Sequence, residues 1–212
     1  MSSDKNLNIL DLDSLSLETR ESMSTIWFTA DYHHGHPAII KHANRPVNIQ
    51  DHDEWLLEEV HNKYISKKDR VYILGDLSMA KRKEAELFIG KLKGQKYLIL
   101  GNHDRNIHNS PQFVKIDSLM DFTYKQFGLN FHIVLCHYPM MSWNKSVHGS
   151  WSLYGHVHGR LKHPGLGLDV GIDNDTIEIY RPLTLLDIVT WMDKKKTFLE
   201  EEKVKAEHGV FS

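Results

Sequence analysis

The chain has a single cysteine, Cys136, among its 212 residues. That excludes an intrachain disulfide framework, so a reducing compartment is expected. No apolar run approaches the roughly 20 residues of a membrane span. The N-terminus carries Asp4, Asp11 and Asp13 instead of a basic segment and an apolar block, so no secretory leader is expected and the location read from the sequence is cytoplasmic. Charge of one sign is also missing: 26 basic against 28 acidic residues leave a net charge of -2. This gives no electrostatic case for broad nucleic-acid or membrane binding. Neither an internal repeat nor a linker divides the chain. It reads as one domain over residues 25–193, with a polar arm at 1–24 and a charged tail at 194–212 that is expected to be solvated or frayed.

What the chain does have is histidine, at 15 residues, and histidine is the commonest metal-ligating side chain. Where these residues fall depends on the elements. Residues 26–30 read as a buried strand that runs into Asp31-Tyr32-His33-His34-Gly35-His36. Pro37 opens a short helix through His42. Asp51 and Glu54 have capping-box spacing ahead of an amphipathic helix with Leu56, Val60 and Tyr64. Residues 70–74 form a strand ending at Gly75-Asp76. Residues 84–92 form a helix with Leu87, Phe88 and Leu92 on its apolar side, stopped by Gly94. Residues 97–100 are a strand ending at Gly101-Asn102-His103-Asp104. This alternation predicts parallel pairing with helices on both faces. Further strands are expected at 113–116, 122–127, 131–136, 150–154, 166–172 and 177–180, followed by a last helix capped by Thr184.

Five strand tips therefore carry candidate ligands: Asp31 with His33, Asp76, Asn102 with His103, His137, and His156 with His158. One histidine at a strand end is usually a hydrogen-bonded structural residue, but five such tips together are poorly explained that way. In a parallel sheet the carboxyl ends share one edge, so these groups should converge. Residues two apart point the same way in an extended segment, so Asp31 and His33 are expected to reach one centre, as are His156 and His158. The donors are nitrogen and oxygen without thiolate, which suits Mn, Fe, Zn or Ni better than Ca or Cu(I). They are too many for one tetrahedral site. Two ions sharing a carboxylate account for the excess, and Asp76, alone on its tip, is the candidate bridge. The remaining histidines are read as structural or surface residues, and Cys136 as core. Trp143 and Trp151 are candidates to line a pocket beside the site.

The series Asp31-x-His33, Gly75-Asp76, Gly101-Asn102-His103-Asp104, His137 and Gly155-His156-x-His158 resembles the signature of calcineurin-like metallophosphoesterases, in family order and over most of the chain. The phrases around Gly35-His36, His137-Tyr138-Pro139-Met140 and Leu153 to Gly159 are similar to a small single-domain bacterial and phage subgroup. The resemblance implies an α/β fold, a four-layer α-β-β-α sandwich, with two divalent metal ions, manganese foremost. By analogy Asp31, His33, Asp76 and His158 hold the first ion, and Asp76, Asn102, His137 and His156 the second. His103 is then the catalytic histidine that is not a ligand, Asp104 the carboxylate that orients it, and Arg45 and His36 substrate contacts. Leu77-Ser78-Met79 offers no tyrosine ligand, so a tyrosinate-iron site is not expected. The implied activity is hydrolysis of a small phosphate monoester or diester, a hydroxide shared by the ions attacking phosphorus in line. Cleavage of a nucleotide pyrophosphate or cyclic nucleotide by the same site is an alternative, as is a protein-binding scaffold without catalysis.

Overall fold

A computed structural model describes residues 25–126, 128–174 and 180–207. The arm at 1–24 and nearly all of the strand expected at 177–180 lie outside the described residues. In the first sheet β1 (Ile26–Thr29), β2 (Arg70–Ile73), β3 (Gln95–Ile99) and β4 (Lys115–Asp117) pair in parallel, in the order β4-β3-β2-β1. The second sheet runs β5 (Leu119–Gln126), β6 (Leu129–Cys136), β7 (Trp151–Tyr154), β8 (Gly167–Asp169), with β5 and β6 an antiparallel hairpin and the rest parallel. The last strand, β9 (Leu183–Thr184), returns to pair antiparallel with β1. Both sheets are thus mixed, and the class is α/β.

Alternation along the strands explains the layering. Ile26 and Phe28 of β1, and Tyr72 of β2, join a core that also holds Met120, Ile133, Leu135 and Leu153 of the second sheet. Trp27, Val71, Ile73 and Leu98 point the other way, among Leu56, Val60, Phe88 and Ile89 from helices. Tyr72 ties the sheets together: its ring stacks on Phe28 and Tyr97 within its own sheet and on Phe122 of β5, at 5.5, 4.8 and 5.3 Å between centroids. The first sheet therefore has helices on one face and a second sheet on the other, not helices on both. Two faces each too apolar for water are covered in different ways.

The helices are α1 (Ala38–His42), α2 (His52–Trp55), which continues into a π-helical stretch over Leu56–Asn62, α3 (Arg82–Lys91) and α4 (Leu185–Glu207). Asp51 makes no side-chain cap at α2, so the capping box expected there is absent. A true one exists at α4, where the Asp187 N–H donates to Thr184 Oγ1 and the Thr184 N–H to Asp187 Oδ2. Leu87, expected on the apolar side of α3, is exposed. The charged segment read as a frayed tail is helical as far as Glu207. The aliphatic stem of Lys195 lets its Nζ reach the Gly167 carbonyl in β8 at 2.7 Å. Among the described residues no helix is long and apolar enough to cross a membrane.

The π-helical stretch buries Leu56, Val60 and His61. His61 Nε2–H donates to the Lys93 carbonyl (2.9 Å), so the neutral ring accepts the Tyr32 hydroxyl at Nδ1 (2.9 Å). Burial lowers its pKa to about 4, against the opposing pull of that carbonyl. The folded state then binds fewer protons than the unfolded chain, whose histidines titrate near 6.5. The stability His61 confers is present above pH 6.5 and is lost as pH falls toward 4. Urea titrations should show about 3 kcal/mol lost from this group by pH 4, and His61→Gln should flatten that part of the profile.

Candidate metal centre

The carboxyl ends of β1, β2 and β3 meet those of β6, β7 and β8 along one edge. The Asp31 N–H donates to the Gly75 carbonyl and the Gly155 N–H to the His137 carbonyl, each at 3.0 Å, and Ala30 bridges to Gly171. Two trios result. Asp31, His33 and His158 bring ligand atoms within 4.8 Å of one another, and Asp76, His137 and His156 do the same. Asp76 lies between them: Oδ2 is 3.7 Å from His33 Nε2 and Oδ1 is 3.5 Å from His137 Nε2. Asn102 Oδ1 is 3.2 Å from His137 Nε2. The His103 N–H donates to Asp76 Oδ1 at 2.9 Å, and its ring Nε2 stands 3.9 Å from Oδ2, 38% of the side chain exposed. All eight residues read from the strand tips are thus gathered in one place.

The backbone route to this convergence differs from the expected one. Asp31, His33, Asp76, His156 and His158 have φ of 61, 54, 50, 73 and 49°, left-handed and not extended. Asn44 and Lys145 are the only other non-glycine residues with positive φ among those described. Each such conformation costs on the order of 1–3 kcal/mol, and strain of this kind concentrates where side chains must be aimed. Close approach of the tips also dictates glycine. A Cβ at Gly75 would run into the His137 ring, and one at Gly101 into the Asp76 carboxylate.

The proton inventory calls for positive charge here. His137 Nδ1 lies 2.7 Å from the Leu74 carbonyl, which only accepts, so a neutral His137 turns a lone pair toward Asp76 Oδ1 and Asn102 Oδ1. A proton or a cation must sit among them. Burial pulls on both partners, yet each favours the other's charge: Asp76 is held at about 2 chiefly by the His137 hydrogen bond and charge, and His137 is raised by Asp76. His33 is buried, neither ring nitrogen has a hydrogen-bond partner among the described residues, and burial lowers its pKa to about 3 despite Asp76. Burial, with Asp169 and Asp76 nearby, pushes the Asp31 carboxyl well above its usual range. Buried carboxyl groups set against imidazoles whose own charge is disfavoured, as at His33, are what a divalent cation would satisfy.

Asp104 does not touch the His103 ring. Its buried carboxylate accepts the N–H groups of Gly101, Asp76 and Leu77, each at 2.9 Å. It locks two tips together and positions Asp76. Arg45 is no substrate contact either. Its side chain is fully buried, and every guanidinium nitrogen is engaged: with Asp173 at 2.9 and 2.7 Å, with the Tyr32 and Asp31 carbonyls at 2.7 and 2.6 Å, and with His52 Nε2 at 2.7 Å. Trp143 packs on His163 and Trp151 on Phe131. His36 does stay at the rim, its ring 5.5 Å from His33 and 6.5 Å from His103.

The residue the sequence reading missed is Asp173. Its Oδ2 lies 2.8 Å from His158 Nδ1, fixing the tautomer that turns Nε2 toward Asp31 and His33. Its position just after Val170-Gly171-Ile172, a sixth apolar run, was the available signal. Replacing Arg45 by Leu would leave Asp173 buried without its cation. The expected loss is about 3 kcal/mol in denaturant titrations, partly recovered on adding Asp173→Asn.

No family model matches the chain. The crystal structure of a protein of unknown function, AQ665 from Aquifex aeolicus, superposes with a TM-score of 0.59 at 19% identity, covering 80% of this chain and 100% of that one. The gene 66 protein of Mycobacterium phage D29 is 29% identical over 164 residues, covering 66% of this chain and 81% of its own length. That of phage L5 is 39% identical over 85 residues, covering 39% of this chain and 41% of its own. An uncharacterized protein of Methanocaldococcus jannaschii, MJ1445, is 30% identical over 182 residues, covering 82% of this chain and 95% of its own. At that identity and coverage, the chain belongs to the same family as MJ1445.

Proposed function

We propose that the protein is a metal-dependent phosphoric ester hydrolase of the calcineurin-like metallophosphoesterase type. In this reading the two facing sheets are the inner layers of an α-β-β-α sandwich. The observation that carries the proposal is Asp76, whose two oxygens address different trios at 3.7 and 3.5 Å. A carboxylate in that position would be able to serve two cations at once. Asp31, His33, Asp76 and His158 would hold one, and Asp76, Asn102, His137 and His156 the other. The unpartnered nitrogens of His33 and the lone pairs meeting at His137 fit such occupants. A pair of divalent ions, manganese or else iron, zinc or nickel, supplies Lewis acidity and a water nucleophile at neutral pH.

The chain's own groups do the rest. Asp173 and the Leu74 carbonyl each hold an imidazole Nδ1 and leave Nε2 facing inward. His103, half-exposed beside Asp76, reaches the mouth of the site. From there it steadies charge on the phosphoryl group or protonates the leaving oxygen. A phosphomonoester or phosphodiester is the substrate.

Manganese-loaded protein should hydrolyse bis-p-nitrophenyl phosphate or p-nitrophenyl phosphate and lose that activity to a chelator. No turnover of either ester would count against the reading. His103→Ala should cut kcat by about 100-fold or more while manganese content, measured by elemental analysis, stays at the wild-type value. Asp76→Ala should deplete both ions, whereas retention of two tightly bound ions would remove the bridge.

A further inference from the structure

Tyr138 directly follows His137, and its ring stands edge-on to both His137 and His156, at 4.9 Å and 72° in each case. Two histidines thus fix a ring that is still 45% exposed, so burial is not what holds it there. Its hydroxyl lies 3.5 Å from Asn102 Oδ1, at the outer limit of a hydrogen bond. This is a fixed donor beside the second trio, and among the described residues its acceptor is that one oxygen at the limit of reach.

Two neighbouring loops are joined here. The loop after Tyr138 is pinned to the loop after His158, because His163 Nε2 lies 2.8 Å from the Met140 carbonyl. These joined loops expose Met141 (79%) and Leu161 (41%). The loops that follow the candidate ligands His137 and His158 thus carry exposed apolar side chains as well as the Tyr138 ring.

We infer that Tyr138 contacts the substrate. Its O–H donates to a phosphoryl oxygen lying over Asp76, His137 and His156, and its exposed ring meets a flat apolar group on the ester. This inference rests on the phosphoesterase reading and narrows it to esters whose alcohol carries such a group.

The test uses manganese-loaded wild type, Tyr138→Phe and Tyr138→Ala. Tyr138→Phe should lower kcat for p-nitrophenyl phosphate about tenfold with little change in KM, as expected for one donor to a charged oxygen. Tyr138→Ala should in addition weaken calorimetric binding of phenylphosphonate by roughly fivefold or more while leaving methylphosphonate less affected, since only the former offers a ring. Manganese content should stay at the wild-type value in both. Wild-type kcat in Tyr138→Phe, or an unchanged phenyl-to-methyl affinity ratio in Tyr138→Ala, would overturn the inference. So would loss of manganese, which would make Tyr138 a positioning residue for Asn102. The phosphonate arm keeps the two readings apart. If wild type cleaves no ester yet discriminates the phosphonates through Tyr138, the contact stands and the hydrolase reading falls.

Discussion

The Asp104 carboxylate decides where the rest of the centre stands. It gathers three backbone N–H groups from the tips of β2 and β3, and an anion with several such donors is held in one place. One of those donors belongs to Asp76, whose own carboxylate then faces His33, His103 and His137. The geometry on both sides of Asp76 therefore passes through a residue whose own carboxylate is turned to the backbone.

A second brace works from the other sheet. Arg45 spends its guanidinium on Asp173, on His52 and on the Asp31 and Tyr32 carbonyls, and Asp173 in turn orients His158. The ion pair is buried, so it gives little net stability over an apolar substitute but fixes geometry that an apolar pair would not. Both braces are made of charges withdrawn from solvent. They differ in partner: Asp104 uses the backbone and Asp173 uses side chains.

The positions of the strand tips were legible because each is an apolar run that stops at a polar group, and parallel pairing sends such ends to one edge. Opposed sheets were not legible from the alternation of strands and helices, since an apolar face looks the same whatever covers it. Arg45 was misread for a related reason. A lone arginine near candidate ligands looks like an anion contact until its five donors are traced to protein acceptors. Asp104 was misread because adjacency to His103 in sequence says nothing about which way a carboxylate turns. The left-handed φ at Asp31 and His158 has only a weak sequence mark, since aspartate and histidine are enriched in that region yet adopt it in a small minority of cases. The charge density of residues 194–207 concealed a helix whose first turns are anchored by Leu185, Ile188 and Met192.

The five left-handed positions carry one more consequence. Glycine would suit each of those backbones better than the residue found there. At these sites the side chain and the main chain have opposite interests, and the side chain has prevailed five times. Drift toward a more robust fold would thus erode the cluster from its backbone outward, so a degenerate descendant of this protein would gain thermal endurance as it lost these side chains.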